Sequence, residues 1–370
     1  METYDVVVIG AGIIGLMIAR AVRAAGLSVA LLERSAVGKE ASWASAGVLM
    51  SRPYPYESID DFALRVEGSE MLLTLAPVLA DETGIDIEAV RHPALHLALT
   101  AEDEANMRAL QPQLDGADLG CEFIPPDEVR RRQPEVTLPV TLGMVTSCAN
   151  IENRRLLRAL EVGARKTGVS IFAGCDAQAL HVENGRVTGV RTANQVFQAG
   201  AVVNAAGSWG GTLQGAPEHI PVQPERGQML SLHADTVALS HLINLPQYII
   251  IPRKSGRIVL GATTEKVGYD RRNTAGAIQD ILHAAIEAIP DLAAGTIAEL
   301  WSGFRPFSPD GYPLVGPSAL PGYYYAVGHH KLGIQQAPMT AEIIRDLLTT
   351  GKTTRPVAHW NPNRFSDLAR

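Results

Sequence analysis

The sequence predicts an α/β fold of two domains, and three observations carry that prediction. The chain has 370 residues, and a chain of this length is usually divided between two hydrophobic cores. It begins with an apolar strand (4–9), a glycine turn, a helix that ends at Gly26, and a second apolar strand (29–32). A later apolar run, 202–207, ends in small residues and should pair with the first strand in a parallel sheet.

The glycine turn has the spacing of a dinucleotide-binding motif. Gly10 permits the tight turn, Gly12 lets the backbone approach a pyrophosphate, and Gly15 lets the helix pack on the strand. The N-terminus of the helix offers free N–H groups and a partial positive charge to phosphates. Glu33 ends the second strand, where a carboxylate can accept both hydroxyls of an adenosine ribose. The flanking strands and the acid argue against a chance glycine turn, and the motif leaves NAD and FAD open.

Composition and charge exclude several classes of protein. The net charge of −7 gives no basic surplus for a nucleic-acid partner. The three cysteines are scattered and form no CxxC pair, which argues against a thiol reductase and against a metal site. No window of 18 uninterrupted apolar residues is present, so no membrane span is predicted. A reducing, cytoplasmic location fits these features.

The rest of the chain alternates between helical and extended patterns. Apolar periodicity predicts helices at 56–82, 102–114, 154–166, 275–289 and 338–348. Apolar or alternating runs predict strands at 92–100, 142–146, 170–173, 177–182, 186–192, 196–207, 227–232, 248–252, 257–262, 298–304 and 323–327. Asn153 is expected to cap its helix, Asn184-Gly185 to form a type I′ hairpin turn, and Pro338 to lie in the first turn of the last helix.

This alternation predicts two discontinuous domains. Residues 1–75, 150–216 and 305–370 form the nucleotide-binding domain, and residues 76–149 and 217–304 form a second, substrate-binding domain. The segment 35–50 is rich in small residues and nearly uncharged, as expected of backbone that approaches a flat ligand.

Three stretches together carry a family resemblance. They are GAGIIG with Glu33, VVNAAGSW at 202–209, and GHHKLGIQQAPMTAEII at 328–344. The set resembles the D-amino-acid oxidase superfamily, and within it most closely the glycine oxidase branch. The resemblance also covers EASWASAGVL at 40–49, RGQML at 226–230, YIIIPRKSGRIVLGAT at 248–263 and WSGFRPFSPDGYPLVG at 301–316. It implies a Rossmann-type FAD domain built from discontinuous segments, and an α+β substrate domain with a mixed, mostly antiparallel sheet.

The resemblance also implies which residues contact FAD. They are Ile13, Ile14, Glu33, Arg34, Ala41, Ser42, Ala46, Gly47 and Val48, with Ala179 beside the adenine or pyrophosphate, in addition to Gly10, Gly12 and Gly15 of the glycine motif. Beside the isoalloxazine they are His329, His330, Lys331, Leu332, Gly333, Ile334 and Gln335. A helix that begins just after this second group would direct its N-terminal dipole at negative charge on the ring. Family members with covalent flavin use a cysteine near this region, and this chain has none there, so noncovalent FAD is expected.

Arg305 is the predicted anchor for a substrate carboxylate. It lies among aromatic residues in WSGFRPF, where a guanidinium needs an anionic partner. The alternative is a structural ion pair with an internal acid. The pocket departs from the glycine oxidase pattern at three positions, because Ile249 stands in place of a tyrosine, Thr264 in place of a methionine and Lys331 in place of an arginine. Tyr248 adjoins Ile249 and should face the opposite side of a strand.

These residues predict oxidative deamination of a small amino acid or an N-substituted glycine. A hydride would pass from Cα to the flavin N5, and O2 would be reduced to H2O2, with positioning of the substrate in place of a catalytic base. The alternative within the class is a D-amino acid or D-(hydroxy)proline dehydrogenase that uses a quinone or carrier. Outside it, an NAD(P)-linked reductase would need a second GxGxxG, which is absent, and a noncatalytic flavin-binding protein would lack the charged anchor. Assembly into a homo-oligomer is left open.

Overall fold

The computed structural model describes residues 3–50, 52–116, 121–218 and 220–369. Met1, where the predicted first domain begins, and Arg370, where it ends, lie outside the described residues. The helices are α1 (Ile13–Ala24), α2 (Ala41–Ala44), α3 (Ile59–Thr83), α4 (Ala101–Arg108), α5 (Gln111–Gly116), α6 (Pro126–Arg132), α7 (Asn153–Lys166), α8 (Ala275–Ala288) and α9 (Gly333–Thr350).

The strands through residue 204 are β1 (Thr3–Ile9), β2 (Val29–Glu33), β3 (Val48–Met50), β4 (Val90–Arg91), β5 (Ala94–Ala98), β6 (Cys121–Ile124), β7 (Leu142–Thr146), β8 (Cys148–Asn150), β9 (Ser170–Ala173), β10 (Ala179–Glu183), β11 (Arg186–Arg191) and β12 (Val196–Asn204). The later strands are β13 (Gln223–His233), β14 (Leu242–Asn244), β15 (Ile249–Pro252), β16 (Arg257–Gly261), β17 (Thr296–Phe307), β18 (Leu314–Pro317) and β19 (Tyr323–Val327).

The first large sheet is built around β1. Strand β1 lies between β12 and β2, and both neighbours are parallel to it, with Val6 opposite Ala201 on one side and Val29 on the other. Strand β9 continues the sheet beyond β2, and the second half of β12 pairs in parallel with β19. The predicted parallel pairing of the first strand with the run at 202–207 is confirmed. The predicted type I′ turn is also confirmed, because Asn184 and Gly185 both have positive φ. Helices α1, α3, α7 and α9 cover one face of this sheet.

The second large sheet runs in the order β17-β13-β16-β15-β14-β5-β7-β6. Its neighbours are antiparallel except for β14 and β5, so the prediction of a mixed, mostly antiparallel sheet is confirmed. Helix α8 packs its apolar side chains, such as Ile281 and Ala285, on one face of this sheet. Within the described residues, no helix is long and apolar enough to cross a membrane.

The start of α9 differs from the prediction. The helix begins at Gly333, and Pro338 lies inside it instead of in its first turn. The prediction placed the helix start too late because it relied on the preference of proline for the first turn of a helix. Proline can also lie inside a helix, since its φ is helical and it lacks only one N–H donor. The carbonyl of Ile334 consequently has no helical N–H donor four residues on.

Two other helix predictions need correction. Asn153 is the first residue of α7, and Glu152 occupies the cap position without a side-chain cap bond. The Asn153 amide instead donates to the carbonyls of Ser42 and Trp43, at 2.8 and 2.9 Å. The predicted helix 102–114 is divided into α4 and α5.

The predicted division into domains remains a proposal. The 75/76 boundary falls within the continuous helix α3, and Arg305 lies on β17 of the second sheet although the prediction assigned it to the first domain.

Candidate active site

A cavity of about 1110 Å³ lies at the carboxyl ends of β1, β2, β12 and β19 and continues along the second sheet. Ligands of open α/β sheets bind at this edge. The volume is at the upper end of the range for small-molecule sites, which suits an extended ligand. The structure brings all the predicted site residues to the cavity wall except two, Gly15 and Leu332.

The glycine motif forms one end of the cavity. Gly10 has φ of +96°, a conformation that glycine adopts without strain. A Cβ at Gly15 would lie 1.9 Å from the Gly10 carbonyl oxygen, so Gly15 serves close packing of α1 and not ligand contact. Gly12 occupies the cap position of α1 without a side-chain cap bond, and it lines the cavity. The Ile13 N–H donates to Ser42 Oγ, so the next N–H groups in the first turn of α1 are the ones left for a phosphate group.

Glu33 is buried at the same end of the cavity. One carboxylate oxygen accepts from the Ala11 N–H at 3.0 Å, and the other accepts from the Ser35 N–H at 3.0 Å and from its hydroxyl. These bonds fix the carboxylate next to the glycine turn. The oxygen that accepts only from Ala11 keeps a lone pair for a ligand hydroxyl, whereas Ser35 occupies both lone pairs of the other.

The segment 41–48 is clamped against the glycine turn. Ser42 Oγ accepts from the Ile13 N–H at 3.0 Å, and the Arg253 guanidinium donates to the carbonyls of Ile151 (2.8 Å) and Ala46. The Arg253 side chain is buried, although the residue lies in the turn between β15 and β16. The small residues of 41–48 thus leave room for a ligand while their backbone is held in place.

Arg226 is a second buried arginine near the cavity. Its side chain forms ion pairs with Glu265 and Asp270 behind the cavity wall. The sequence alone does not predict these pairs, because the acids lie about 40 residues away.

The turn after β19 forms the central wall of the cavity. His330 has φ of +47°, and its N–H donates to the Pro306 carbonyl at 2.9 Å. His329 Nε2 lies 2.9 Å from Thr340 Oγ1, and complete burial lowers the pKa of His329 to about 3. Helix α9 begins directly after this turn without a side-chain cap, so its N-terminal dipole and N–H groups face the cavity.

Helix α3 holds the first turn of α9 in position. Gln335 Nε2 donates to Ser69 Oγ at 2.8 Å, and Arg65 Nη1 donates to Gln335 Oε1 at 3.3 Å. A Cβ at Gly68 would lie 2.1 Å from the Gln335 carbonyl oxygen, so only glycine allows this approach. The backbone of α9 at the cavity is therefore fixed from behind.

Arg305 lines the cavity and also has an internal acid as a neighbour. Its Nη1 donates to the Thr263 carbonyl at 3.0 Å and to Glu225 Oε1 at 3.3 Å, and the same Glu225 oxygen lies 2.8 Å from His330 Nε2. The ion pair uses Nη1 alone and leaves the second nitrogen of the fork outside it, so the pair is compatible with a ligand carboxylate. A Cβ at Gly227 would lie 2.5 Å from Nη2, so the guanidinium rests against bare backbone.

The pKa shifts in this group follow from burial and neighbours. Burial raises the pKa of Glu225, but the hydrogen bond from His330 and the charge of Arg305 outweigh it, and the net shift is downward. Burial lowers the pKa of His330 more than Glu225 raises it, so the imidazole is neutral at pH 7. Glu225 is thus a carboxylate that receives a neutral donor and a cation.

The residues at the predicted substrate end are brought together. Ile249, Thr264 and Lys331 line the cavity, and Lys331 Nζ lies 4.0 Å from the centre of the Tyr54 ring. Tyr248 also lines it, although strand alternation predicted the opposite side. That prediction was wrong because β15 begins at Ile249, and Tyr248 belongs to the preceding loop.

Three further residues of the cavity wall were not among the predicted site residues, and one of them had a signal in the sequence. Arg52, Tyr54 and Glu225 all line the wall. Arg52 and Tyr54 lie in the proline-rich segment after β3, and Glu225 precedes the matched stretch RGQML. A charged residue beside a family motif was the available signal for Glu225.

Comparison with known proteins extends over nearly the whole chain. A family model described as "FAD dependent oxidoreductase" matches residues 5–347. The glycine oxidase of Pseudomonas putida is 33% identical over 353 residues, which covers 93% of this chain and 94% of that protein. The glycine oxidase of Pseudomonas aeruginosa is 31% identical over 349 residues, with 93% and 94% covered. The crystal structure of glycine oxidase from Geobacillus kaustophilus superimposes with a TM-score of 0.93 at 26% identity and covers 98% of this chain and 99% of that one.

Proposed function

The chain belongs to the family of FAD-dependent oxidoreductases, and on that premise we propose that it oxidises the Cα–N bond of an amino acid or N-substituted glycine. When bound, FAD supplies the chemistry of the step, accepting a hydride from Cα and delivering electrons to O2 to give H2O2. The chain supplies the binding site for FAD, the anchor for the substrate, and the geometry between them.

The residues present fit FAD. Gly10 and Gly12 form a cradle at the start of α1 that a side chain would fill, since a Cβ at Gly12 would lie 3.2 Å from Ser42 Oγ. Glu33 is held for the adenosine ribose, and the same cavity runs on to the first turn of α9. A mononucleotide would fill only one end of this space, whereas an extended dinucleotide would reach both. The helix dipole of α9 would favour negative charge on the ring next to it.

Arg305 is the observation that carries the proposal. A guanidinium on the wall of a ligand cavity, opposite the predicted place of the flavin ring, provides what the carboxylate of an amino acid requires. Glu225 and the Thr263 carbonyl hold the side chain from one edge. The substrate would then be oriented by its carboxylate, with its Cα–N bond toward the ring.

Among the described residues near this anchor, none is arranged as a general base. His329 is paired with Thr340, and His330 with Glu225. Burial lowers the pKa of both imidazoles. These contacts support a role in shaping the site, so rate should depend on substrate positioning and on the neutral form of its amine.

The variant Arg305→Gln tests the anchor. We expect KM for the amino acid to rise by about 100-fold, in line with loss of a buried charge pair worth about 2–5 kcal/mol. Flavin content should change little, because Arg305 is not part of the predicted FAD site. The free energy of unfolding should fall, because the buried Glu225 loses its cationic partner. Arg272→Gln, at an exposed arginine, is the control. An unchanged KM in Arg305→Gln would show that the anchor lies elsewhere.

Oxygen and a carrier are the competing electron acceptors. We expect one H2O2 for each substrate oxidised in aerated buffer, with no requirement for a quinone or dye. Turnover that appears only with a dye, and without peroxide, would favour the dehydrogenase alternative. A cytoplasmic location and assembly into a homo-oligomer stay predictions.

A further inference from the structure

Arg52 is a cation of the cavity wall that the proposed reaction does not use. It follows β3 and lines the same cavity as Arg305. Its Nε is buried and has no hydrogen-bond partner among the described residues. A buried guanidinium nitrogen without a partner carries a desolvation cost, so an anionic ligand is the expected compensation.

The backbone of Arg52 is held in place by a buried ion pair. The Arg65 guanidinium donates to the Arg52 carbonyl at 2.7 Å, and it is itself paired with Glu57 at 2.7 Å, with both side chains almost fully buried. Glu57 is committed to Arg65 through both of its oxygens. It is therefore not available to neutralise Arg52.

Tyr54 places Arg52 at the substrate end of the cavity. Tyr54 lies two residues after Arg52, and its ring centre lies 4.0 Å from Lys331 Nζ. Arg65, which donates to the Arg52 carbonyl, also donates to Gln335 in the first turn of α9 at 3.3 Å. Three cations thus surround one part of the cavity.

The acids of the cavity wall do not balance these cations. The carboxylates that line it, within the described part of the chain, are Glu33, Glu40, Asp176 and Glu225. Glu33 lies at the dinucleotide end. Asp176 lies at the same end, because the N–H of its neighbour Cys175 donates to the Glu33 carbonyl. Glu40 is bound by Arg34 and Arg271. Only Glu225 faces the substrate end, which leaves a formal surplus of two positive charges there.

We propose that Arg52 binds a second carboxylate of the substrate, so that amino acids with two carboxylates are preferred over those with one. The inference rests on the proposed function and specifies its substrate class. One carboxylate lies on Arg305 and neutralises one of the surplus charges, and the second lies on Arg52 and neutralises the other. The second carboxylate is carried either by the side chain or by the nitrogen substituent.

Two matched pairs of substrates separate these sources. D-Alanine and D-aspartate differ by a carboxylate on the side chain, and sarcosine and N-carboxymethylglycine differ by one on the nitrogen substituent. We expect kcat/KM of the native enzyme to favour the dicarboxylate of one pair by at least about 100-fold. Arg52→Gln should remove that preference by lowering kcat/KM for the dicarboxylate alone, and Arg52→Lys should retain part of it.

A binding measurement supplements the kinetics. Dissociation constants for malonate and acetate, read from the perturbation of the flavin absorbance, report carboxylate binding without turnover. Malonate should bind the native holoenzyme more tightly than acetate, and Arg52→Gln should abolish the difference while keeping the same flavin content and thermal midpoint. Arg52→Met repeats the test should the glutamine variant fold poorly.

The outcomes distinguish this inference from the proposed function. Oxidation of monocarboxylates with equal or higher kcat/KM, or an equal effect of Arg52→Gln on both members of each pair, would overturn the second-carboxylate site and leave the oxidase proposal intact. If no amino acid is oxidised, the proposed function fails. The malonate measurement then decides the Arg52 site by itself, and equal affinities for malonate and acetate would overturn it.

Discussion

At the scale of single residues, Glu225 has the largest effect on how the substrate anchor is presented. It is buried and accepts from Arg305 and His330 with the same oxygen. A buried carboxylate next to an arginine could be expected to cancel it, yet the 3.3 Å contact involves a single guanidinium nitrogen. The contact therefore fixes the orientation of the fork while a ligand carboxylate can still be bound through the other nitrogen.

Gly227 allows a test of that orientation. In Gly227→Ala the new Cβ would lie 2.5 Å from Arg305 Nη2 and 2.8 Å from Cζ, so the guanidinium must move while the backbone can stay. We expect a folded, flavin-containing enzyme whose KM for the amino acid rises by about tenfold, equivalent to about 1.4 kcal/mol. Steady-state kinetics on the purified variant measure this.

The matched control is Gly276→Ala in the first turn of α8. No atom lies within 4 Å of its added Cβ, so kinetics should be unchanged and stability should rise by about 0.5–1 kcal/mol. Equal KM values for Gly227→Ala and the native enzyme would contradict the assigned position of Arg305.

At the scale of elements, α9 and the turn before it are joined by a buried histidine. His329 is hydrogen-bonded to Thr340 about two turns into the helix, and Gln335 links the first turn to α3. The wall of the predicted flavin site is therefore a rigid unit of turn and helix. Its stability should depend on the protonation of His329.

The pH dependence of that unit has a definite sign. Burial lowers the pKa of His329 to about 3, against about 6.5 in an unfolded chain. Between these values the unfolded state binds a proton that the native state excludes, so the stabilising contribution is complete above about pH 6.5 and is lost as pH falls toward 3. The free energy of unfolding changes by about 1.4 kcal/mol per pH unit for one such group. Between pH 6.5 and 5 it should therefore fall by about 2 kcal/mol more in the native protein than in His329→Gln.

Urea unfolding of both proteins at the two pH values measures the difference. Thr340→Val is the control, since it removes the hydrogen-bond partner but keeps the imidazole buried, and burial is the cause of the shift. It should be less stable at both pH values and keep the native pH dependence. Identical pH dependence in His329→Gln and the native protein would show that the imidazole is solvated.

The elements that were predictable from sequence are those whose signals are local. The glycine motif with Glu33 and the turn at Asn184-Gly185 depend on neighbouring residues, and the structure confirms the fold they predict. The start of α9 was missed because Pro338 is compatible with a helix interior that tertiary contacts stabilise. Tyr248 was assigned to the wrong side because the alternation rule holds only inside a strand.

The parts of the site that escaped prediction depend on distant partners. Whether an arginine is a structural or a ligand-binding cation is decided by which acids reach it. Arg253 lies near Glu152 and Arg226 near Glu265 and Asp270, whereas no ion pair joins Arg52 to an acid within the described part of the chain. These pairings join residues up to about 100 positions apart, so no local pattern reports them. The sequence showed that Ile249, Thr264 and Lys331 differ from the glycine oxidase pattern. It did not show the shape of the cavity wall that these side chains form together.

At the scale of the whole molecule, charge is distributed unevenly. The chain has a net charge of −7, yet the substrate end of the cavity has a surplus of positive charge around Arg52, Arg305 and Lys331. The low dielectric constant of a cavity between two sheets strengthens this local field. An anionic substrate is therefore favoured at the site in spite of the overall charge.

The cavity between the two sheets also explains how one ligand and one substrate can meet. The first sheet presents the glycine motif and the start of α9, and the second sheet presents Arg305 on β17 and Ile249 on β15. Neither sheet alone has both sets of residues. A flavin held by the first sheet is therefore expected to face an amino acid held by the second.

Anaerobic titration of the purified protein with amino acids tests whether bound flavin and bound amino acid react. The panel is glycine, sarcosine, D-alanine, D-proline, D-aspartate and N-carboxymethylglycine, and the readout is the absorbance of oxidised flavin near its visible maximum. We expect a yellow protein with about one FAD per chain. At least one amino acid of the panel should abolish the visible flavin absorbance, and oxygen should restore it. A colourless protein, or a flavin spectrum that no member of the panel alters, would contradict this expectation.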